Sequence, residues 1–312
     1  MLELNNVKKY FGSTKAIDGV ELHIKRGEIF GVIGQEGAGK TTLLQLAAGL
    51  IRPDEGSVCI NGMDLSRDTY QSRIQIGYVP QYFQLYDKLK VQEYMEFYAG
   101  FYPREGIQKN RWIGELLDLV QLTKMEDVYV EKLSRGMSQR LCVAQALLSN
   151  PQVLILDEPG NGMDPRARME YRELLKKLTQ TDRTVLISSH LITDLPDYCT
   201  SVGILEQGRF LLEGSMDVIL KKIKKEQPIL IQVAQGEEHA LGVLRSNEKV
   251  GKVTLSDNGM LVFFDGEEKE EAELLQSLVQ AGVSVYSFNR TNVNLENRFF
   301  QMISEQGEEE CR

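Results

Sequence analysis

Cysteine is scarce. Cys59, Cys142, Cys199 and Cys311 are the only four in 312 residues, and no two stand at a paired spacing. Three sit among apolar neighbours, the usual setting of a small buried thiol. With only three histidines beside them, neither a disulfide framework nor a Cys/His metal cluster has a basis, which fits a reducing compartment. Long apolar runs are missing too: none approaches the length needed to span a bilayer, so the chain is not expected to cross a membrane alone. The opening Met1-Leu2-Glu3-Leu4-Asn5-Asn6 has no basic start and no apolar core of a signal peptide. Positive charge is in deficit. Against 45 Asp and Glu stand 36 Lys and Arg, a net charge of −9, so no global field draws the chain onto nucleic acid or an anionic membrane. What is present is ordinary for a globular protein, 42% apolar and 26% charged residues, with length for about two domains.

Against that background one stretch stands out: Gly34-Gln35-Glu36-Gly37-Ala38-Gly39-Lys40-Thr41-Thr42. It follows the apolar run 29–33, which reads as a buried strand, and precedes 43–49, which reads as a helix. Strand, glycine-rich turn and helix form the setting of a phosphate-binding loop, where backbone N–H groups converge on a polyphosphate and the helix N-terminus adds positive charge. Lys40 would reach the β- and γ-phosphates of a nucleotide and the Thr41 hydroxyl would ligate Mg²⁺. Glu36 is unusual inside such a loop and weakens anion binding unless its carboxylate points outward.

The rest of the chain reads as follows. Residues 2–4 and 16–24 are strands; between them Tyr10-Phe11-Gly12-Ser13 offers an aromatic that either stacks on a purine or packs in the core. Residues 58–60 are a strand between turns, and 76–81 a strand stopped by Pro80, with Gln81 at its end. Residues 91–102 form an aromatic-rich helix, read with Phe97 and Phe101 in the core and Tyr94, Tyr98 and Tyr102 unassigned. Residues 112–120 are an amphipathic helix. Ser134 caps a helix running to 148, with Gly136 permitting a close backbone approach. The apolar run 153–156 ends in Asp157-Glu158-Pro159: Asp157 is suited to hold Mg²⁺ through a water, Glu158 to orient or deprotonate an attacking water. A helix at 171–178 and a buried strand at 184–190 follow, the latter tipped by His190, which is structural or functional on position alone.

In this order the pieces resemble the nucleotide-binding subunit of an ABC transporter from about residue 2 to 222. Phe11, or Tyr10, resembles the adenine-stacking aromatic, and 34–42 the phosphate loop, whose Gly34, Gly37, Ala38, Gly39, Lys40, Thr41 and Thr42 would bind ATP. Gln81 resembles the glutamine that senses Mg²⁺ and contacts the membrane partner. Residues 133–140 resemble the signature motif, with Ser134 and Gly136 on the γ-phosphate held by the opposite subunit. Asp157 and Glu158 resemble the metal-binding aspartate and the catalytic glutamate, Asn161-Gly162-Met163-Asp164 the loop that follows them, and His190 the switch histidine. The resemblance implies catalysis by Glu158, His190 and Gln81, nucleotide contacts that include Asp164, and Mg²⁺ held by Thr41, Gln81 and Asp157. It implies an α/β P-loop NTPase fold, a mixed sheet with a helical subdomain at about 82–150. It further implies hydrolysis of ATP in a dimer of ATPase subunits, homomeric or heteromeric, peripheral on the cytoplasmic face of the membrane. Separately encoded permeases would carry the exported substrate, and no nucleic-acid partner is expected. Departures are Gln35-Glu36 in the loop, Arg135 where the signature often has glycine, and Gly160 where threonine is common. The variant with Arg135 resembles the exporter branch. A soluble family member acting on ribosomes or DNA is the first rival, although this chain has one cassette, no heptad array and a negative charge. A P-loop kinase or GTPase is the second; it accounts for Lys40 and Thr41 but not for Ser134, Gly136, Asp164 and His190 together.

Beyond the basic run Lys221-Lys222-Ile223-Lys224-Lys225, residues 223–312 read as strand (229–233), helix (238–244), two strands (252–255 and 260–264) about an Asp-Asn-Gly turn, helix (267–281), strand (283–288) and a short helix (295–303). That order suggests a small α+β domain. It resembles the accessory domain of drug- and polysaccharide-export ATPases, including the run at 293–300, and implies a dimerisation or regulatory module. The acidic tail from Ser304 is expected to fray.

Overall fold

The computed structural model describes residues 1–67, 71–103, 106–180, 182–190, 195, 198–219, 227–256 and 259–290. The chain divides into two compact units, Met1–Met216 and Asp217–Arg312. The basic run at 221–225, most of the Asp-Asn-Gly turn and everything read beyond 290 lie outside the described residues.

In the first unit, β1 (Leu2–Phe11), β2 (Thr14–Ile24), β4 (Glu55–Ile60) and β5 (Met63–Asp64) form an antiparallel sheet in the order β2-β1-β4-β5. A second sheet joins β3 (Ile29–Ile33), β6 (Ile76–Val79), β7 (Val153–Leu156), β8 (Thr184–Ser189), β9 (Ser201–Glu206) and β10 (Arg209–Ser215) in the order β10-β9-β3-β8-β7-β6. Its strands are parallel except β10, which turns back on β9. All five residues of β3 and all four of β7 are buried, as unbroken apolar runs should be when both faces of a parallel sheet are covered. Each such side chain contributes about 1.5–3 kcal/mol on burial.

Register then decides what stands together. Ile33 pairs with Ser189, Leu156 with Ile187, and Val79 with Leu156. The residues that follow β3, β7, β8 and β6 therefore leave the sheet side by side, at the carboxyl edge where open α/β sheets bind ligands.

The longer helices among the described residues of this unit are α1 (Lys40–Ala47), α2 (Val91–Ala99), α3 (Gly106–Leu119), α4 (Arg135–Ala146) and α5 (Pro165–Thr179). Helix α2 corrects the sequence reading. Its buried residues are Val91, Tyr94, Met95 and Ala99, one stripe at helical spacing. Tyr94 is 1% exposed and its hydroxyl donates to Gln145 Oε1 at 2.5 Å, so a polar tip is satisfied inside the core. Phe97 and Phe101, expected inside, fall off that stripe and are 48% and 68% exposed. Aromatic character alone did not say which face the helix buries.

In the second unit, β11 (Ile229–Val233), α6 (Glu237–Arg245), β12 (Val250–Ser256), β13 (Gly259–Phe264), α7 (Glu268–Gln280) and β14 (Val285–Arg290) follow the expected alternation of strands and helices. Its antiparallel sheet has the order β12-β13-β11-β14. Ile229, Ile231, Met260, Val262 and Phe264 alternate onto one face and meet Ala240 and Leu244 of α6 and Leu274 and Leu278 of α7. Arg290 fastens β14, with Nε 2.8 Å from Glu271 Oε1 on α7 and Nη1 2.6 Å from Gln227 O.

Candidate active site

The loop from Gly34 to Gly39 closes tightly because two of its glycines cannot be anything larger. A Cβ on Gly34 would collide with Leu205 O, and one on Gly39 would stand 2.5 Å from Ala16 O. Gly39 also has φ +104, in the region that disfavours side chains, and it starts α1. No side chain caps that helix, which leaves its first-turn N–H groups to an anion in the loop. Glu36 is exposed. Lys40 turns inward and is buried. Its Nζ donates to Gly34 O at 2.8 Å and Gln35 O at 3.1 Å, and lies 3.2 Å from Glu158 Oε1.

At the end of β7, Asp157 and Glu158 face different partners. Asp157 is almost wholly buried and accepts from Ser188 Oγ at 2.7 Å. Burial pushes its carboxyl pKa up, while hydrogen bonds from Ser188 and Thr41 pull the other way. The Tyr78 hydroxyl lies against the same carboxylate; burial first, then the charge of Asp157, pushes it up to about 12. Glu158 holds φ +45. Its Oε2 is 2.6 Å from Nδ1 of His190, the residue that follows β8. Gln81 follows β6 and Pro80, half-buried, level in register with Glu158.

A second group forms elsewhere in the same unit. Ser134 caps α4 and accepts from Met137 N–H at 3.4 Å. Asp164 caps α5 and accepts from Ala167 N–H at 2.9 Å, with Pro165 in the first helical turn. A Cβ on Gly136 would stand 2.7 Å from the Ala167 Cβ; the close approach it permits is of α4 to α5. Arg135 Nε donates to Asn161 O at 3.0 Å, and its guanidinium lies against Gly162, where a Cβ would come within 2.9 Å of Nε. Among the described residues no hydrogen bond joins Ser134, Gly136 or Asp164 to Lys40, Asp157 or Glu158. Phe11 stands at the β1–β2 hairpin, 53% exposed and outside any core, with Lys9 Nζ 5.7 Å from its ring centroid.

Three neighbours were not read from the sequence: Ser188, Tyr78 and the bond from Arg135 to the loop after Glu158. The signal for Ser188 was a polar residue directly after the apolar run Val185–Ile187, two positions before His190.

Comparison with known proteins gives the same direction. The family described as ABC transporter matches residues 17–161. The ABC transporter ATP-binding protein YhcH of Bacillus subtilis is 34% identical over 310 residues, 99% of this chain and 98% of that protein. The Nod factor export ATP-binding protein I of Paraburkholderia xenovorans is 33% identical over 219 residues, 70% of this chain and 72% of that one. The linearmycin resistance ATP-binding protein LnrL of Bacillus subtilis is 29% identical over 304 residues, 97% of this chain and 98% of the relative. Among solved structures, a dimeric post-hydrolysis state of the ATP-binding cassette MJ0796 with ADP and Pi superimposes with a TM-score of 0.63 at 29% identity, covering 69% of this chain and 99% of that one. An identity of 34% sustained over nearly the full length of both chains, on an α/β sheet whose carboxyl edge gathers a phosphate loop and two carboxylates, leaves one conclusion: this chain belongs to the ABC transporter ATP-binding proteins, which bind and hydrolyse ATP.

Proposed function

We propose that two subunits close on two ATP molecules to drive export through separate permeases, with this chain contributing both halves of a composite site. The observation that carries the reading is the separation within one chain: Glu158 meets both Lys40 and His190, with Asp157 beside it on the chain, whereas Ser134 and Asp164 cap helices in a second group with no hydrogen bond to them among the described residues. A second copy, or a related subunit, would bring its Ser134 and Gly136 to the γ-phosphate bound here. Phe11 would take the adenine, its exposed ring free to stack. The amides of 34–42 and Lys40 would hold the phosphates. A water attacks the γ-phosphorus, the bond to the β,γ-bridging oxygen breaks, and Glu158 takes the water proton, leaving ADP and phosphate. His190 would hold Glu158 in place.

The donors present suit Mg²⁺. Thr41 and Asp157 offer oxygen atoms, the ligands a hard cation takes, and burial of Asp157 penalises its anion, a cost that an adjacent cation offsets. Thr41, Asp157 and Gln81 would hold the ion, which when bound neutralises charge on the phosphates. For Gln81 this rests on register alone.

The permease contact is assigned to the segment after Gln81. Tyr86, Phe97 and Phe101 pack edge to face, with ring centroids 5.6 Å apart from Tyr86 to Phe97 and from Phe97 to Phe101. Tyr86, Leu89 and Phe97 line a cleft of about 510 Å³. An apolar helix of a membrane protein seated there would press on the stretch that carries Gln81. Its place would then be the cytoplasmic face of the membrane. The name of the Nod factor export relative supports export. The proposed part of the C-terminal unit is dimerisation or regulation.

Replacing both Phe97 and Phe101 by Asp is expected to cut recovery of the chain in the membrane fraction by about tenfold, the loss of two buried aromatic anchors. Sedimentation with membranes, scored against a soluble marker, checks this. Recovery equal to wild type would remove the patch from the docking surface.

A further inference from the structure

Strand β8 is apolar from Val185 to Ile187 and turns polar while still inside the sheet. Ser188 is wholly buried there. Its hydroxyl donates to Asp157 Oδ1 at 2.7 Å and accepts from Glu158 N–H at 2.8 Å. A hydroxyl has one proton to give and lone pairs to receive with, and this one uses both on consecutive residues of the neighbouring strand end. The parallel pairing of Leu156 with Ile187 brings Ser188 level with Asp157. Glu158 just beyond has φ +45, a region that side-chain-bearing residues seldom occupy and that persists only where the surroundings hold it. The bond from its N–H to Ser188 is such a hold.

We propose that Ser188 is a positioning residue for hydrolysis: one hydroxyl fixes the left-handed backbone turn at Glu158 and the orientation of the Asp157 carboxylate together. The inference rests on the assignment of Glu158 as the base. Among the described residues neither the phosphate loop nor Lys40 bonds to Ser188, so its loss is expected to act on the geometry of the carboxylates rather than on nucleotide binding. Alanine at this position leaves a buried amide and a buried carboxylate each short of a partner.

The test is steady-state ATP hydrolysis by the full chain with Ser188→Ala, Ser188→Cys and Ser188→Thr. The expected result is a kcat lowered roughly 10- to 100-fold in Ala and Cys with KM for ATP within about twofold, the pattern of a lost transition-state geometry. Cysteine keeps the volume but is a weak hydrogen-bonding group, so it separates bonding from packing. Threonine, which restores the hydroxyl, is expected to recover kcat to within about threefold of wild type. A Cys variant as fast as wild type overturns the inference, and so does a rise in KM at unchanged kcat. Glu158→Gln assayed alongside separates the two assignments: activity there removes the base itself, whereas an inactive Glu158→Gln beside an unaffected Ser188→Ala and Ser188→Cys removes only the role of Ser188.

Discussion

Glu158→Gln is expected to hydrolyse ATP at least about 100-fold more slowly than wild type while binding it, and to accumulate as an ATP-dependent dimer in gel filtration. The magnitude is that of removing a general base from a positioned water. The substitution keeps the shape of the side chain. It removes the negative charge that stands 3.2 Å from Lys40 Nζ and 2.6 Å from His190 Nδ1. The amide cannot take a proton from water, so the γ-phosphate that bridges the two subunits stays in place and the closed state persists. Hydrolysis at the wild-type rate would show that another group activates the water.

Lys40→Ala is expected to weaken ATP binding roughly 100-fold, about 2.7 kcal/mol, with hydrolysis lost at any ordinary ATP concentration. Among the described residues Lys40 is the one buried cation directed at the loop, and its Nζ also draws in the carbonyls of Gly34 and Gln35. Removing it deletes a charge-assisted contact to phosphate and slackens the loop. Titration of a fluorescent ATP analogue, beside the melting temperature of the nucleotide-free chain, separates lost affinity from lost fold. Affinity within twofold of wild type at an unchanged melting temperature would take Lys40 out of the phosphate site.

What could be read from the sequence was whatever local backbone chemistry encodes. The phosphate loop is legible because its glycines are required where the chain passes Leu205 and Ala16. The carboxylate pair is legible because an unbroken apolar run must end where the sheet ends. His190 was ambiguous until parallel register set Ser189 beside Ile33 and β8 beside β7. Contacts that depend on register between distant segments left little local trace, and Ser188 is the clearest case. Arg135 is another: it stood out as a departure from glycine, yet its bond to Asn161 O across 26 residues could not be inferred. The aromatic helix misled for a different reason. Phe is buried more often than Tyr, yet the packing of α2 on α4 puts Tyr94 inside, with its bond to Gln145, and leaves Phe97 exposed.

The most direct measurement of the central claim uses the trapped dimer. Tagged Glu158→Gln chain is captured from native membranes in mild detergent with Mg-ATP, and the proteins that come with it are identified and quantified. A polytopic membrane protein in stoichiometric amount is the predicted result, lost when Phe97 and Phe101 are both replaced by Asp. Ribosomal or DNA-associated proteins with no membrane partner would contradict the account and assign the ATPase to a soluble machine.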